Sequence, residues 1–342
     1  MKKNLTIQDI AQEAGVSKST VSRILNNSSN VSPQTRERVS AIILKRRYRP
    51  NFFARGLSGL KAGVIGVVVT DITNPFYALL VKGIEDVCRN YRYSVFLCNT
   101  DGREEEERAQ LESLTQRGVD GVILASTMLD DQSMRDFQEK GLQLVLLARL
   151  PQDPRPYEYV VTDNVMGGHL ATKHLLSLGH RRIAFLSGPW LASPSHDRFA
   201  GYRRALEEAL IAVDERWVLR GDFKMESGSR AVQLFLQLPP PRPTALFAAN
   251  DAMAMGVLES LAELGVKVPE ELSVIGFDDT PLGGLHCVQL TTISQSIAEQ
   301  GALSARMLVE RITQSKKSEP RHVVLPPKLI IRKTTARPRP GR

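Results

Sequence analysis

Short apolar runs separated by segments of helical length dominate the chain after Lys61. They are too uniformly apolar to alternate between a core and a solvent face, which indicates parallel strands covered by helices on both sides. The runs predicted as strands are Val64 to Thr70, Ser94 to Thr100, Gly121 to Ser126, Gln143 to Ala148, Ile183 to Ser187, Thr244 to Ala249 and Ser273 to Phe277. The pattern therefore predicts doubly wound parallel sheets over most of the 342 residues.

Basic residues concentrate before this α/β region. Residues 1 to 61 hold twelve Lys and Arg against three Asp and Glu, a net charge of +9, whereas the remaining 281 residues have a net charge of −1. Clustered Lys and Arg neutralise phosphates, so the distribution favours a polyanion-binding head on a nearly neutral body. Charge alone leaves a solvated basic surface open as the alternative.

The head carries two short helical stripes, one formed by the apolar residues at 7, 10, 11 and 14 and one by those at 21, 24 and 25. Thr6 can cap the first helix, Gly15 can take the left-handed conformation that ends it, and Ser17 can cap the second helix. A third helix is predicted from Ser32-Pro33 to about Arg46;. This is the pattern of a helix-turn-helix, whose second helix enters the major groove of DNA.

Four motifs in the head have a specific order and spacing: Thr20-Val21-Ser22-Arg23, Val31-Ser32, Thr35-Arg36 and Tyr48-Arg49-Pro50-Asn51. They resemble the DNA-binding head of the LacI/GalR family of bacterial transcription regulators. The resemblance implies a hinge helix after Pro50, with Leu57 wedged into the minor groove. A plain linker is the alternative, since Gly56 and Gly59 each weaken a helix by about 0.5–1 kcal/mol. The residues implied at the DNA are Thr6, Ser17, Lys18, Ser19, Thr20, Ser22, Arg23, Asn26, Asn30, Asn51, Ala54 and Leu57.

Motifs in the body, among them Asn74-Pro75-Phe76, Asp163-Asn164 and Asn250-Asp251, extend the resemblance from residue 5 to about residue 335. The fold it implies is an α-helical helix-turn-helix head plus an α/β two-lobed periplasmic-binding-protein-like body with two doubly wound parallel sheets. Chain crossings between the lobes are expected near 161–164, 291–294 and 323–327. The predicted domains are the head at 1–48, the hinge helix and linker at 49–61, an N-terminal lobe at 62–162 with 293–323, a C-terminal lobe at 163–292 with 324–335, and a disordered tail at 336–342.

A ligand crevice is expected outside the carboxyl ends of the parallel strands. Polar and aromatic side chains after those strands suit a sugar or sugar acid. The resemblance implies Phe76, Arg198, Phe223, Asn250 and Asp278 as effector contacts, and the strand ends add Tyr77 and Arg149. Core packing is the alternative for Phe223, and a turn or helix cap is the alternative for Asp278. If Arg149 and Arg198 both face the cleft, they favour a carboxylate or phosphate on the ligand.

The loop with Ala192 and Pro194 departs from the purine-responsive branch of the family, so a purine corepressor is disfavoured. No Walker A motif, nucleophile–base pair or metal-binding histidine spacing is found, and neither an enzyme nor a cofactor or metal is expected. Because no apolar run approaches about 20 residues and the chain does not start with a signal peptide, a cytoplasmic protein without a membrane partner is expected.

The predicted function is a sequence-specific transcription repressor controlled by a small carbohydrate or sugar-acid effector. It is expected to bind a pseudo-palindromic double-stranded DNA operator as a homodimer or a dimer of dimers. One alternative is a carbon-catabolite-type regulator controlled by a phosphocarrier protein. Another is a sugar-binding transport protein, which would leave the charge of the head unexplained.

Overall fold

The computed structural model describes residues 5–25, 30–46, 48, 61–314 and 319–339. The chain divides into two compact units, one before Gly63 and one from Gly63 onward. The predicted hinge helix, with Asn51, Ala54 and Leu57, lies outside the described residues, as does Asn26.

The head contains three helices, α1 (Ile7–Ala14), α2 (Lys18–Leu25) and α3 (Pro33–Arg46). Thr6 and Asp9 form a reciprocal capping box at the start of α1, and Gly15 ends that helix with a φ of 63°. The Ser17 hydroxyl accepts the backbone N–H of Thr20 at 3.1 Å, which caps α2 as the sequence predicts. The fully buried side chains of Ile10, Val21 and Val39, one from each helix, meet in a small core. The helix-turn-helix prediction is confirmed.

The N-terminal lobe is built on a parallel six-stranded sheet in the order β11-β5-β4-β3-β1-β2. Its strands are β1 (Val64–Val69), β2 (Ser94–Asn99), β3 (Gly121–Ala125), β4 (Leu144–Leu147), β5 (Glu158–Thr162) and β11 (His322–Leu325). Its helices are α4 (Pro75–Asn90), α5 (Glu104–Gln116), α6 (Asp131–Glu139) and α11 (Ile297–Thr313). The central strands are buried along their whole length, which explains their uniformly apolar sequences;.

The C-terminal lobe repeats this plan with a parallel sheet in the order β7-β6-β8-β9. Its strands are β6 (Ile183–Ser187), β7 (Val218–Arg220), β8 (Ala245–Ala248) and β9 (Ser273–Ile275), and its helices are α7 (Asn164–Ser177), α8 (Ser193–Glu208), α9 (Met225–Gln237) and α10 (Asp251–Glu263). Two further strands, β10 (Thr292–Ser294) and β12 (Lys328–Ile330), form an antiparallel pair. The predicted two-lobed α/β body is confirmed. None of the helices in the described ranges combines the length and apolarity that crossing a bilayer requires.

The chain passes between the lobes after β5, between β10 and α11, and between β11 and β12. Two of the predicted lobe boundaries, the one before residue 293 and the one after residue 323, lie a few residues from the crossings in the structure. Bridges from Ile275 to Thr291 and from Asp278 to Ser294 keep β10 with the C-terminal lobe. All of β11, to Leu325, pairs with β5 in the N-terminal lobe. Hydrogen bonding of each strand to its sheet therefore moves both boundaries a few residues toward the C-terminus.

The predicted disordered tail also begins too early. Ala336 accepts a hydrogen bond from Nε2 of the buried His180 at 2.8 Å, and its own N–H donates to the Ser273 hydroxyl at 3.0 Å. Two residues earlier, the carbonyl oxygen of Thr334 accepts the N–H of Val274 in β9 at 2.8 Å. These bonds extend the ordered C-terminal lobe to Ala336, while residues 340–342 lie outside the described ranges.

Helices of the body cross closely where one of them carries a glycine. A Cβ atom on Gly83 of α4 would lie 2.1 Å from the carbonyl oxygen of Ala298 in α11, and one on Gly301 of α11 would lie 2.2 Å from that of Leu80. Similar reciprocal pairs join α7 to α8 through Gly168 and Gly201, and α9 to α10 through Gly228 and Gly256.

Gly83→Ala is expected to lower the free energy of unfolding by about 1–3 kcal/mol, because the added methyl group displaces the backbone of α11. On a solvent-exposed helix face the same change would stabilise the protein by about 1 kcal/mol. A loss of stability therefore indicates that the two helices are in contact at Gly83. Urea denaturation measures it. Gly284→Ala is the control, since a Cβ there would approach its neighbours no closer than 3.4 Å. Equal stability of both variants would contradict this account of the crossing.

Candidate functional site

A cavity of about 290 Å³ lies between the two lobes of the body, at the carboxyl ends of their strands. Its lining includes all seven of the predicted effector residues, namely Phe76, Tyr77, Arg149, Arg198, Phe223, Asn250 and Asp278. The structure therefore brings together residues that are up to 202 positions apart in the sequence.

The N-terminal lobe contributes an aromatic wall. Asn74 caps α4 by accepting the N–H of Phe76 at 3.0 Å, which places Phe76 and Tyr77 on the first turn of this helix. The Tyr77 hydroxyl donates to the Ser126 hydroxyl at 3.0 Å and also contacts the Thr70 hydroxyl at 2.9 Å. Burial raises the pKa of Tyr77, so this wall presents a neutral phenol held by two hydroxyl groups;.

Arg149 reaches the cavity from a tight turn at the end of β4. Its N–H donates to the carbonyl oxygen of Leu147 at 2.8 Å, around Ala148, whose φ is 64°. The guanidinium group donates to the Met128 sulfur and, at 2.8 Å, to the carbonyl oxygen of Leu191. Because Leu191 follows β6, the second bond joins the N-terminal lobe to the C-terminal lobe across the cleft.

Arg198 on α8 is a buried cation held on several sides. Its Nε donates to Asn164 Oδ1 at 2.8 Å, its Nη1 donates to the carbonyl oxygen of Ala249, and its guanidinium carbon lies 3.7 Å from the centroid of the Phe277 ring. The nearest carboxylate contact is to Asp278 Oδ1, at 3.9 Å from Nη1. These contacts fix the side chain before any ligand arrives.

Burial opposes the charge on both members of this pair. It lowers the pKa of Arg198 to about 10, partly offset by Asp278, and raises the pKa of Asp278 to about 8, partly offset by Arg198;. Gln295 also donates to Asp278 Oδ1 at 2.5 Å. The cavity thus holds a charged arginine beside a carboxyl group whose pKa is raised to about 8.

Asn250 and Phe223 form another part of the wall. Asn250 Oδ1 caps α10 by accepting the N–H of Met253 at 3.0 Å, and its Nδ2 donates to the carbonyl oxygen of Phe223 at 3.0 Å. Phe223 itself has a φ of 66°, and a Cβ on Gly188 would lie 2.2 Å from its ring. Only glycine at 188 therefore lets the ring lie where it does. Phe223 lines the cavity and also packs against the core of the C-terminal lobe.

Several lining residues were not predicted: Asp101, Ser126, Asp222, Lys224 and Gln295. Ser126 and Asp101 follow β3 and β2, so the rule about strand ends could have found them. Asp222 and Lys224 follow β7, which has three residues and was not predicted. Gln295 lies in a segment between the lobes, and a lone glutamine carries no sequence signal for a site.

Most of the predicted DNA-contacting residues that the structure describes in the head lie on or beside α2. Lys18 and Ser19 are exposed in its first turn and Arg23 in its last turn, while Thr20 and Ser22 are half-buried. The Ser17 hydroxyl contacts those of Ser19 and Thr20 at 2.7 and 2.8 Å. Asn30 is exposed, and the Thr6 side chain is engaged with Asp9 in the cap of α1. In the described part of the chain, no group of three His, Cys, Asp or Glu side chains could hold a metal ion.

Comparisons with known proteins agree with this architecture. Residues 6–51 match the family model for bacterial regulatory proteins of the lacI family, and residues 172–335 match a periplasmic binding protein-like domain. The HTH-type transcriptional regulator DegA of Bacillus subtilis is 37% identical over 97% of this chain and 98% of its own. A lac repressor dimer bound to operator and the anti-inducer ONPF has a TM-score of 0.83 at 29% identity, covering 98% of this chain and 100% of that one. A complex of the transcriptional regulator CelR with cellobiose has a TM-score of 0.74 at 34% identity. The match covers 96% of this chain and 99% of that one.

Proposed function

This chain belongs to the LacI family of bacterial regulatory proteins, and we propose that it is a repressor whose operator affinity is set by a small carbohydrate or sugar-acid effector between its lobes. It is a DNA-binding transcription regulator, as its relatives are. The effector proposal rests mainly on the cavity of about 290 Å³. Its lining combines aromatic rings with the hydrogen-bonding groups of Arg198, Asn250 and Asp278;.

Control of DNA binding requires that the effector bind two conformations of the body unequally. The two lobes offer such conformations, because each has its own sheet and three chain segments join them. The hydrogen bonds from Arg149 to Leu191 and from the Leu150 N–H to the Ser193 hydroxyl, at 3.0 Å, connect the lobes beside the cavity. A ligand that displaces or reinforces these bonds would change the equilibrium between lobe arrangements.

The proposed partner is a pseudo-palindromic double-stranded operator, bound by a homodimer or a dimer of dimers in the cytoplasm. A single α2 helix reads too few base pairs for useful specificity, and two-fold symmetry doubles the number that are read. The lac repressor, which has the same overall fold, binds its operator as a dimer. The predicted DNA contacts of Asn51 and Ala54, and the predicted wedge of Leu57 in the minor groove, remain part of this proposal.

The test is to select operator DNA from a random pool with the full-length protein and to titrate it by fluorescence anisotropy. Neutral sugars, sugar acids, sugar phosphates and nucleobases are then added one at a time. A change of at least tenfold in operator affinity with a carbohydrate supports the proposal. A response to nucleobases alone contradicts the effector class, and failure to select any sequence contradicts the operator. A phosphocarrier protein added in a parallel arm tests the carbon-catabolite alternative.

Effector affinity is expected to depend on pH through Asp278. A sugar hydroxyl that donates to this carboxylate favours its charged form, so binding lowers a pKa that is about 8 in the free protein;. Below that pH binding must release a proton, and affinity should therefore rise with pH, by up to about tenfold per unit, and level off above pH 8;.

Isothermal titration calorimetry in buffers of different ionisation enthalpy measures both the affinity and the number of protons released. Asp278→Asn is expected to remove the pH dependence, since the amide does not titrate. A wild-type affinity that stays constant from about pH 6 to pH 8 would contradict the assignment.

A further inference from the structure

Arg149 is a partly buried cation in the cavity whose hydrogen-bond acceptors are both neutral. These acceptors are the thioether of Met128 and the carbonyl group of Leu191. The nearby acid Glu107 already accepts hydrogen bonds from the Thr127 hydroxyl and the Met128 N–H, each at 2.6 Å. Within the described residues Arg149 forms no ion pair with a carboxylate, unlike Arg198, which lies beside Asp278.

The acids that line the cavity have partners of their own. Asp71 accepts hydrogen bonds from the N–H and the hydroxyl of Thr73, Asp101 accepts one from Asn99 at 2.6 Å, and Asp222 forms an ion pair with Arg230 at 3.2 Å. Lys224 also lines the cavity but is exposed to solvent, where a charge needs no protein partner;. Among the described residues that line the cavity, Arg149 is therefore a half-buried cation with no carboxylate within ion-pair distance, whereas Arg198 lies 3.9 Å from Asp278.

The backbone that carries Arg149 is strained in a way that fixes its direction. Ala148 is the central residue of a three-residue turn with a positive φ of 64°, a conformation that is rare and costly for a residue with a Cβ atom;. Such strain persists only where the surrounding structure imposes it and is concentrated at binding sites. The turn places Arg149 in the cavity lining rather than in solvent.

We propose that Arg149 binds an anionic group of the effector, a carboxylate or a phosphate, and so selects acidic over neutral sugars. This inference rests on the proposed function, since it names the chemical class of that same effector. A thioether is a weak acceptor, so its replacement by an oxyanion strengthens the hydrogen bond from Nη1. Guanidinium has five N–H groups, which allows the bond to Leu191 to remain. An anion on Arg149 is then held by a side chain that is bonded to both lobes.

The cavity is large enough for a sugar ring, since its volume of about 290 Å³ is close to the lower end of the usual range for small-molecule sites, about 300–1,000 Å³;. Arg198 and Asp278 remain to bind hydroxyl groups, because protein contacts already hold both side chains at the cavity wall. A monosaccharide with one acidic group matches this distribution of charge.

The experiment compares matched ligands on the full-length protein by isothermal titration calorimetry: glucose with glucuronate and glucose 6-phosphate, galactose with galacturonate, and ribose with ribose 5-phosphate. The variants are Arg149→Met, Arg149→Lys and the control Arg155→Met, which removes an exposed arginine outside the cavity. We expect at least one acid to bind the wild type tenfold or more tightly than its neutral partner. Arg149→Met should abolish that preference, Arg149→Lys should keep part of it, and Arg155→Met should keep all of it.

Neutral sugars that bind as tightly as their acids would overturn the inference and leave the proposed function standing. An acid preference that survives in Arg149→Met would also overturn the assignment to this residue. If no sugar in the panel binds, neutral or acidic, then the proposed effector class itself fails. The wild-type affinities alone show whether the effector is anionic, even if a variant does not fold. Comparing the sugar acids with the sugar phosphates shows which anionic group is preferred.

Discussion

Replacing Arg198 by alanine is expected to weaken effector binding by about 2–5 kcal/mol, enough to abolish the response of operator binding to the effector. The residue is 5% exposed, and its side chain contacts Asn164, Ala249 and Asp278 around the cavity. Its removal takes away a guanidinium group that we propose donates to ligand oxygens, and leaves Asp278 without the neighbouring cation. Operator binding without effector should remain near the wild-type level, because the head is a separate compact unit.

The same substitution is expected to destabilise the body, since it leaves Asn164 Oδ1 and the buried carbonyl group of Ala249 without their donor, and an unsatisfied buried polar group costs about 1–3 kcal/mol;. Arg198→Lys is the second variant. It retains the positive charge, which favours folding, but it loses the planar guanidinium group and its paired donors. Arg203→Ala is the control on the same helix, where Arg203 forms an exposed ion pair with Glu207 at 3.5 Å;. Operator titrations with and without effector give the result. A normal response in both Arg198 variants would remove this residue from the effector site.

Arg23→Ala is expected to weaken binding to the selected operator by about 1–3 kcal/mol and binding to random DNA by much less. Arg23 is exposed in the last turn of α2, and Lys18 and Ser19 are exposed in its first turn. An arginine at this position can bind the edge of a guanine through two hydrogen bonds, and nonspecific DNA offers no fixed guanine to it. Competition titrations against operator and random duplexes measure the difference.

Lys45→Ala is the matched control for charge, because Lys45 is exposed in the last turn of α3 rather than on α2. It should reduce operator and random binding by similar factors and lower the salt dependence of both. If Arg23→Ala behaves in the same way, Arg23 is a phosphate contact and does not read bases.

The sequence predicted the parts of the fold that have strong local signals. Thr6, Gly15 and Ser32 mark helix ends through capping chemistry, and the long buried strands show as uniformly apolar runs. Five strands were not predicted: β7, β10 and β12 have three residues each and stand apart from any longer apolar run, while β5 and β11 are short runs that begin with the polar residues Glu158 and His322. The bonds of Ala336 to His180 and Ser273 were also missed, because they join distant segments through polar groups that resemble a loop in sequence.

The cavity residues were predictable to the extent that they follow strands. Arg149 and Asp278 stand at strand ends, and the topology alone brings such positions to one edge of each sheet. Their chemical states could not be read from the sequence. The pKa of Asp278 depends on burial and on Arg198, which lies 80 positions away in the chain, and the neutral partners of Arg149 come from two other loops.

Both lobes of the body are completed by residues near the end of the chain. The N-terminal lobe needs β11 at its sheet edge, and the C-terminal lobe needs Thr334 and Ala336 against β9 and His180. The head is complete by Tyr48, which packs onto its core. Ribosomes deliver the N-terminus first, at roughly 5–20 residues per second. A nascent chain therefore carries a folded helix-turn-helix for on the order of tens of seconds before it possesses a sensor that could respond to a ligand.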